Sequence, residues 1–409
     1  MKDTPSTLSY HLRLFNLSVF LRSHFFLLPI LFLFYSQHGI TAGDFFLLQG
    51  LSTLICIVAD VPFGYLADLY SKRKILILSN ILIVLRLLIL LFIPSYTSIF
   101  ISEFIFALAI VSFVGTYDAY IYELLKSSNH TAKMLEKYGK NYFWISLGAA
   151  ISSLCGAWIF NHFNIKLLLL INLAFIVPAI IILLFLPETP KYSKNIHGLK
   201  EKYIDLWQIL VKSFKNPYLK NLMIFSGFLT AAYQIFLWGM QPLMKLAIIP
   251  VSIFGFIYFL NNTSRALGGY LAHKLFSSFK LKRLGYVAYI FFLISFTALL
   301  CVADTLPVWV NLSLLIFVCL SCIPQVAFLC VGIQQIHDHV DSKERSTYAS
   351  INSMWGRLFS AICLISMKFI FDGLRLKETL FIFFALFTLA IIPLLEITRR
   401  HGKHSSQAI

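Results

Sequence analysis

The sequence predicts an all-α polytopic membrane protein with twelve transmembrane helices, arranged as two six-helix bundles in a parallel pseudo-repeat. Apolar windows of about 20 residues, each long enough to cross a bilayer as a helix, recur along the whole chain. A polar stretch near the middle divides these windows into two sets, and a short sequence is repeated at matching positions in both sets.

The composition agrees with membrane spans. Of the 409 residues, 59% are hydrophobic and only 13% are charged, which is too little charge to cover the surface of a soluble protein. The apolar residues run continuously instead of alternating, which argues against a β-barrel. The predicted spans are 12–35, 43–67, 75–94, 98–125, 140–162, 165–187, 218–244, 250–276, 284–303, 307–335, 347–371 and 377–397.

The polar stretch at 188–217 predicts a cytoplasmic linker. It separates an N-terminal bundle at 1–187 from a C-terminal bundle with a short tail at 218–409. In its second part, apolar residues recur at helical spacing, which predicts an amphipathic helix on the inner membrane surface. These residues are Tyr203, Leu206, Trp207, Leu210, Val211 and Phe214.

The distribution of charge predicts the orientation. The chain carries 34 Lys and Arg against 18 Asp and Glu, a net charge of +16, and the excess lies mostly in the loops on one side of the spans. The positive-inside rule therefore predicts that both termini and the linker are cytoplasmic, in the inner (cytoplasmic) membrane of the cell. Because no basic domain lies outside the spans, we expect no nucleic-acid partner.

The seven cysteines lie inside apolar spans, where Cys319 and Cys322 form a CxxC pair with no second pair nearby. Small residues at helix contacts explain this pattern better than a metal or redox site does. We therefore expect no metal, no cofactor and no disulfide framework.

The repeated sequence follows the second and the eighth predicted spans, with an offset of 205 residues (269 minus 64). Two copies in the same orientation fit a parallel repeat about an axis along the membrane normal. The copies are Gly64-Tyr65-Leu66-Ala67 and Gly269-Tyr270-Leu271-Ala272. The first copy continues as Asp68-Leu69-Tyr70-Ser71-Lys72-Arg73-Lys74, and this loop resembles the signature G-x-L-A-D-R-x-G-R-[RK]-x of the major facilitator superfamily.

The resemblance implies a bacterial, twelve-span secondary transporter that acts as a monomer on a small-molecule substrate. It also implies a gate at this loop. Gly64 is expected to permit close helix approach, Asp68 to lock the two halves on the cytoplasmic side, and Arg73 to act beside it in the basic loop. The sequence departs from the signature where Leu69 replaces the usual Arg or Lys and Ser71 replaces the usual Gly.

Arginines near the middle of the membrane mark candidate substrate residues, because charge at that depth is costly and functional by default. By their positions in the spans they lie about 15–18 Å deep, at about 1.5 Å per residue. The superfamily fold places spans one, eight and eleven beside a central cavity. We therefore predict that Arg22, Arg265 and Arg357 bind substrate, with Gln234 and Trp238 adding polar and stacking contacts.

Acidic residues within the spans are fewer. We expect Asp60 to neutralise Arg86 on the adjacent span, which would make both residues structural. Asp118 and Glu123, in the cytoplasmic half of span four, are the candidates for proton coupling, since a buried carboxyl group can exchange a proton near neutral pH. The alternative for Asp118 is a fixed salt bridge to Arg22 or to an arginine in the other half.

An excess of midplane arginines favours an anionic solute, since guanidinium groups bind carboxylate and phosphate through paired hydrogen bonds. The sequence thus predicts proton-coupled transport of a small anionic organic solute, such as a polycarboxylate metabolite or a siderophore-like compound, by alternating access. The alternative is multidrug or other metabolite efflux by proton antiport. More remote alternatives are a non-transporting receptor and a membrane-embedded enzyme. Since the spans show no nucleophile motif, we expect no enzyme activity.

Overall fold

The computed structural model describes residues 5–127, 134–188, 199–278, 281–340, 345–373 and 376–396. All regular structure within these ranges is helical, so the fold is an all-α polytopic membrane protein, as the sequence predicts. The α-helices are α1 (Pro5–Arg22), α2 (Leu31–Ser36), α3 (Ala42–Leu69), α4 (Lys72–Phe92), α5 (Tyr96–Ser127), α6 (Met134–His162), α7 (Ile165–Leu184), α8 (Leu199–Lys215), α9 (Pro217–Leu246), α10 (Val251–Ser278), α11 (Leu281–Cys301), α12 (Val308–Leu320), α13 (Cys322–Asp338), α14 (Arg345–Gly373) and α15 (Leu376–Thr388).

Ten helical segments among the described residues are long and apolar enough to cross a membrane. They coincide with ten of the twelve predicted spans. The other two predicted spans correspond to α1 with α2 and to α10. The first of these is interrupted, and the second carries Asn261, Asn262 and Arg265 in its middle.

The first predicted span is broken in its middle. α1 ends at Arg22, residues 23–27 form turns and irregular structure, and a single 3-10 turn at Leu28–Ile30 leads into α2. Pro29 lies in the first turn after the break, where its missing N–H group costs no helical hydrogen bond. The chain can therefore restart its helix at this proline.

Neighbouring helices satisfy backbone groups that the break leaves without helical partners, as the interior of a bilayer requires. The Phe25 N–H group donates to Ser152 Oγ of α6 at 3.1 Å. Asn172 Nδ2 of α7 donates to the His24 carbonyl at 3.0 Å. The break is therefore part of the packing of the first span against α6 and α7.

The chain divides into two compact units, and a buried core in the first is built mainly from α1, α5 and α7, with Leu76 of α4. Phe15, Tyr120 and Leu183 are among its buried side chains. In this unit Gly156 of α6 lies so close to the Phe26 carbonyl that a Cβ atom would collide with it. The unit consists of Met1–Ile40, Ile55–Glu201 and Pro250–Asn262.

The second unit has an aromatic core formed by α9, α11 and α15. Phe236, Phe292, Phe296 and Phe387 contact one another with ring centroids 4.8 to 6.1 Å apart. Aromatic pairs at such separations add to the stability gained from burial. The unit consists of Thr41–Leu54, Lys202–Ile249 and Thr263–Ile409. The predicted bundle boundaries at 187 and 218 remain a prediction.

Candidate functional site

Arg22 lies at the C-terminal end of α1, directly before the break in the first span. Its Nη2 donates to Ser79 Oγ at 2.8 Å and to the Ala109 carbonyl at 3.1 Å, and its Cζ lies 3.7 Å from the centroid of the Phe113 ring. Among the described residues no carboxylate pairs with it. Arg22 is therefore a buried cation held by neutral groups of α4 and α5, inside the first unit.

A buried ion pair in the same unit joins Arg86 of α4 to Glu103 of α5. The Tyr35 hydroxyl donates to the Glu103 carboxylate and accepts from Arg86 Nη2 at 3.2 Å. The expected pairing of Arg86 with Asp60 is wrong. Because α4 and α5 pack along much of their length, the carboxylate that reaches Arg86 comes from α5 and not from α3.

The predicted proton-coupling residues lie in the last third of α5. Glu123 is buried, and Asp118 is half-buried with its Oδ1 shielded from solvent. Since they are five residues apart, they lie on different sides of the helix. The first unit thus holds two shielded carboxyl groups, and their coupling role remains a prediction.

Arg265 of α10 lies against Tyr233 of α9 in the second unit. Its Nη1 donates to Tyr233 Oη at 2.9 Å, and its Cζ lies 4.3 Å from the centroid of the Tyr233 ring. The hydrogen bond and the cation–π contact together fix the plane of the guanidinium group. Sequence reasoning selected the neighbouring Gln234 but missed Tyr233, although a tyrosine in the middle of an apolar span was a visible signal.

Polar atoms without partners lie on α9 and α14, which pack face to face through small residues. The Phe359 ring lies against Gly227, and Thr230 lies against Gly356. Buried polar atoms rarely lack a hydrogen-bond partner, so exceptions call for a ligand, a water or another explanation. Buried atoms on these helices that have none among the described residues include Gln234 Oε1, Asn352 Oδ1 and Trp355 Nε1.

The two remaining predicted substrate residues of the second unit lie on the same helices. Arg357 of α14 is half-buried, with its Nη1 shielded from solvent. Trp238 of α9 packs edge-on against Phe45 of α3, with ring centroids 5.8 Å apart. The structure therefore places Gln234, Trp238, Arg265 and Arg357 in the second unit and Arg22 in the first.

An ion pair within the second unit ties α3 to α14. Lys368 Nζ lies 3.0 Å from Asp44 Oδ1. Asp44 also takes part in a capping arrangement at the start of α3, because Thr41 Oγ1 donates to Asp44 Oδ2 at 2.8 Å and the Asp44 N–H donates to Thr41 Oγ1 at 3.1 Å. The helix start thus holds this carboxylate in place for the lysine.

The predicted gate residues lie around the junction of α3 and α4. A Cβ atom at Gly64 would meet no heavy atom within 4 Å, so the expected close helix contact is not seen at Gly64 among the described residues. The side chain of Asp68 lies outside the described part of the structure. Arg73 donates to the carbonyl group of the last residue of α7, Leu184, at 3.2 Å and to that of Leu186 at 2.6 Å. It also pairs with Glu188 at 2.7 Å, and its charge offsets the negative end of the α7 helix dipole.

The sequence profile of the Major Facilitator Superfamily matches residues 14–363. The chain belongs to the major facilitator superfamily. The matched range contains the loop motif, both copies of the repeat and every predicted substrate residue. The protein is accordingly a multi-pass membrane protein of a transporter family.

Solved structures of other transporters share this fold. The nucleoside transporter NupG matches with a TM-score of 0.76 at 15% sequence identity, over 96% of this chain and 99% of that chain. A POT family transporter in complex with 5-aminolevulinic acid matches with a TM-score of 0.77 at 13% identity, over 98% of both chains. A bacterial homologue of the human lysosomal transporter Spinster, inward-facing and unoccupied, matches with a TM-score of 0.65 at 13% identity, over 97% of this chain and 96% of that chain.

No curated protein matches the sequence. At identities this low, the structural likeness shows the fold and not the solute. The nature of the substrate therefore has to be argued from the side chains of this chain.

Proposed function

We propose that this member of the major facilitator superfamily is a secondary active transporter of a small anionic organic solute, of the polycarboxylate or siderophore-like class. It works by alternating access in the inner membrane, it is coupled to protons, and it acts as a monomer. The bundles at 1–187 and 218–409 are the two moving halves, and both termini and the linker at 188–217 are cytoplasmic.

The observation that carries this proposal is the guanidinium group of Arg265 set against Tyr233. Tyr233 is a neutral partner, so this contact orients the guanidinium plane without cancelling its charge. A guanidinium group held in one plane is suited to a carboxylate, which it binds through two parallel hydrogen bonds.

The composition of the surrounding helices supports an anion. α9 and α10 contain no Asp or Glu, and α14 has only Asp372, near its C-terminal end. The carboxylate that α3 brings to α14, Asp44, pairs with Lys368. The formal charge of these helices, which include Arg265 and Arg357, therefore favours a negatively charged solute.

The shielded polar atoms on α9 and α14 support a solute with several oxygen atoms. The Trp355 Nε1–H group is only a donor, whereas Gln234 Oε1 is an acceptor. A carboxylate of the solute would accept a hydrogen bond from Trp355, and a hydroxyl group would donate one to Gln234. A hydroxylated polycarboxylate contains both groups.

The proposal for Arg22 differs, because its contacts to Ser79 and Ala109 support a role in positioning α1 rather than in binding solute. Asp118 and Glu123 are proposed for proton coupling.

The gate proposed for Gly64, Asp68 and Arg73 is tested by Asp68→Asn. This change should slow transport and leave membrane insertion intact, and wild-type rates would exclude a gating role.

The test is uptake and efflux by the purified protein in proteoliposomes, with and without a pH gradient. The labelled solutes are a hydroxylated tricarboxylate, a monocarboxylate, a nucleoside and a cationic dye. We expect the tricarboxylate to move fastest and the pH gradient to accelerate it. Arg265→Gln should abolish most of this uptake, whereas Arg283→Gln, at an exposed arginine of α11, is the matched control and should not.

Two results would contradict the proposal. Preferential movement of the cationic dye would favour the alternative of drug efflux. Preferential movement of the nucleoside, unaffected by Arg265→Gln, would exclude an anionic solute.

A further inference from the structure

α8 presents an exposed apolar stripe. Ile204, Trp207 and Val211 are 44%, 66% and 41% exposed. These residues are three and four positions apart, so they lie along one face of the helix. α8 is not among the helices that are long and apolar enough to cross the membrane. An exposed tryptophan flanked by aliphatic side chains on such a helix indicates contact with an apolar or interfacial environment.

The opposite face of α8 is fixed to the protein. Ser213 is fully buried. Phe214 lies three residues after Val211, on the side of the stripe, and its ring packs against the Trp355 ring of α14 with centroids 5.2 Å apart. The rotation of α8 is therefore shown by Ser213, which faces the protein, while Ile204, Trp207 and Val211 stay exposed and α14 contacts the C-terminal end of the stripe.

The position of α8 along the chain brings this stripe to the membrane boundary. Only Asn216 separates α8 from α9, and its Oδ1 accepts from the N–H groups of Tyr218 and Leu219 at 3.0 and 3.4 Å. α9 is one of the helices that are long and apolar enough to cross the membrane. The end of α8 is thus tied to the point where the chain enters the bilayer.

Exposed lysines accompany the stripe at this end of α8. Lys212 and Lys215 follow Val211 by one and four residues, and both are exposed. Their ammonium groups are strongly hydrated, and they suit the headgroup region better than the hydrocarbon interior. An apolar stripe bordered by lysines is typical of helices that lie in the plane of an anionic membrane surface.

We propose that α8 docks on the membrane surface, with Ile204, Trp207 and Val211 inserted at the headgroup boundary. Lys212 and Lys215 contact anionic phospholipid headgroups. The lipid surface is preferred to a protein partner because the helix is joined to a membrane-crossing helix by one residue and because the lysines complement anionic lipid. This docking is independent of which solute the protein transports.

Hydrogen–deuterium exchange of the full chain in nanodiscs tests this proposal. The nanodiscs contain either neutral phosphatidylcholine alone or one third phosphatidylglycerol. We expect the backbone amide hydrogens of residues 207 to 212 to exchange more slowly with deuterium in the anionic nanodiscs than in the neutral ones. The double variant Lys212→Gln/Lys215→Gln should lower this protection by about fivefold for each lysine, which corresponds to about 1 kcal/mol per charge.

A double variant with the same loss of charge, Lys166→Gln/Lys282→Gln, is the matched control, since both lysines are exposed and lie on other helices. Equal protection in neutral and anionic nanodiscs, or equal effects of the two double variants, would overturn the proposal. Brominated lipid provides a second measurement. The part of the tryptophan fluorescence quenching that is lost in Trp207→Phe comes from Trp207 alone. If brominated lipid does not quench the fluorescence of Trp207, the proposal is also overturned.

Discussion

Replacing Glu103 by Gln should destabilise the protein strongly. Arg86 and Glu103 are 5% and 2% exposed, and Tyr35 is fully buried. Removing one partner of a buried ion pair leaves an uncompensated charge and costs about 3–5 kcal/mol. Tyr35→Phe removes only hydrogen bonds to charged groups, so its cost should be smaller, about 1.5–3 kcal/mol.

The assay is the free energy of unfolding of the purified variants in mixed micelles, supported by melting temperatures. The double variant Arg86→Met/Glu103→Leu removes both charges and should restore most of the stability, because well-packed apolar residues often replace a buried ion pair at little cost. The reasoning is refuted if Glu103→Gln is no less stable than Tyr35→Phe. It is also refuted if the double variant is as unstable as Glu103→Gln.

Two further predictions concern helix packing. Gly156→Ala should lower the melting temperature or the folded yield, because the new Cβ atom would collide with the Phe26 carbonyl. Gly64→Ala enters open space and should leave the melting temperature and the folded yield unchanged, and equal effects of the two changes on these quantities would contradict this packing. Lys368→Gln and Asp44→Asn should couple by about 0.5–3 kcal/mol in a double-mutant cycle of unfolding free energies, and additive effects would show that the pair contributes nothing.

The membrane spans could be predicted from the sequence because each is a long apolar run, and hydropathy decides the location of such helices. The break in the first span was not predicted. The polar residues Arg22, Ser23 and His24 lie at the start of the break, but the run from Phe25 to Tyr35 is apolar throughout and made the span look continuous. Pro29 was the available signal, since a proline favours the first turn of a new helix over a helix interior.

The partners of the buried charges could be predicted only in part. Sequence position indicated that Arg86 needs an acid, but it could not distinguish Asp60 from Glu103, because that choice depends on which helices pack together. The same limit explains why Tyr233, a hydrogen-bond partner of Arg265, was missed. The repeat has a similar lesson. A close helix contact is made by Gly268, one residue before the second copy, whose Cβ atom would meet the Ile323 carbonyl at 2.6 Å, whereas Gly64 of the first copy faces open space.

Binding of an anionic solute by the second unit is tested by the affinity of purified, folded Arg265→Gln and Arg357→Gln proteins for the anion that shows the fastest uptake. We expect each change to weaken binding by about 1.5–3 kcal/mol, the range for hydrogen bonds to charged groups, or about tenfold to hundredfold. Lysine at either position should restore only part of the affinity, because it keeps the charge and loses the planar fork. Unchanged affinity in both glutamine variants would contradict anion binding at these arginines.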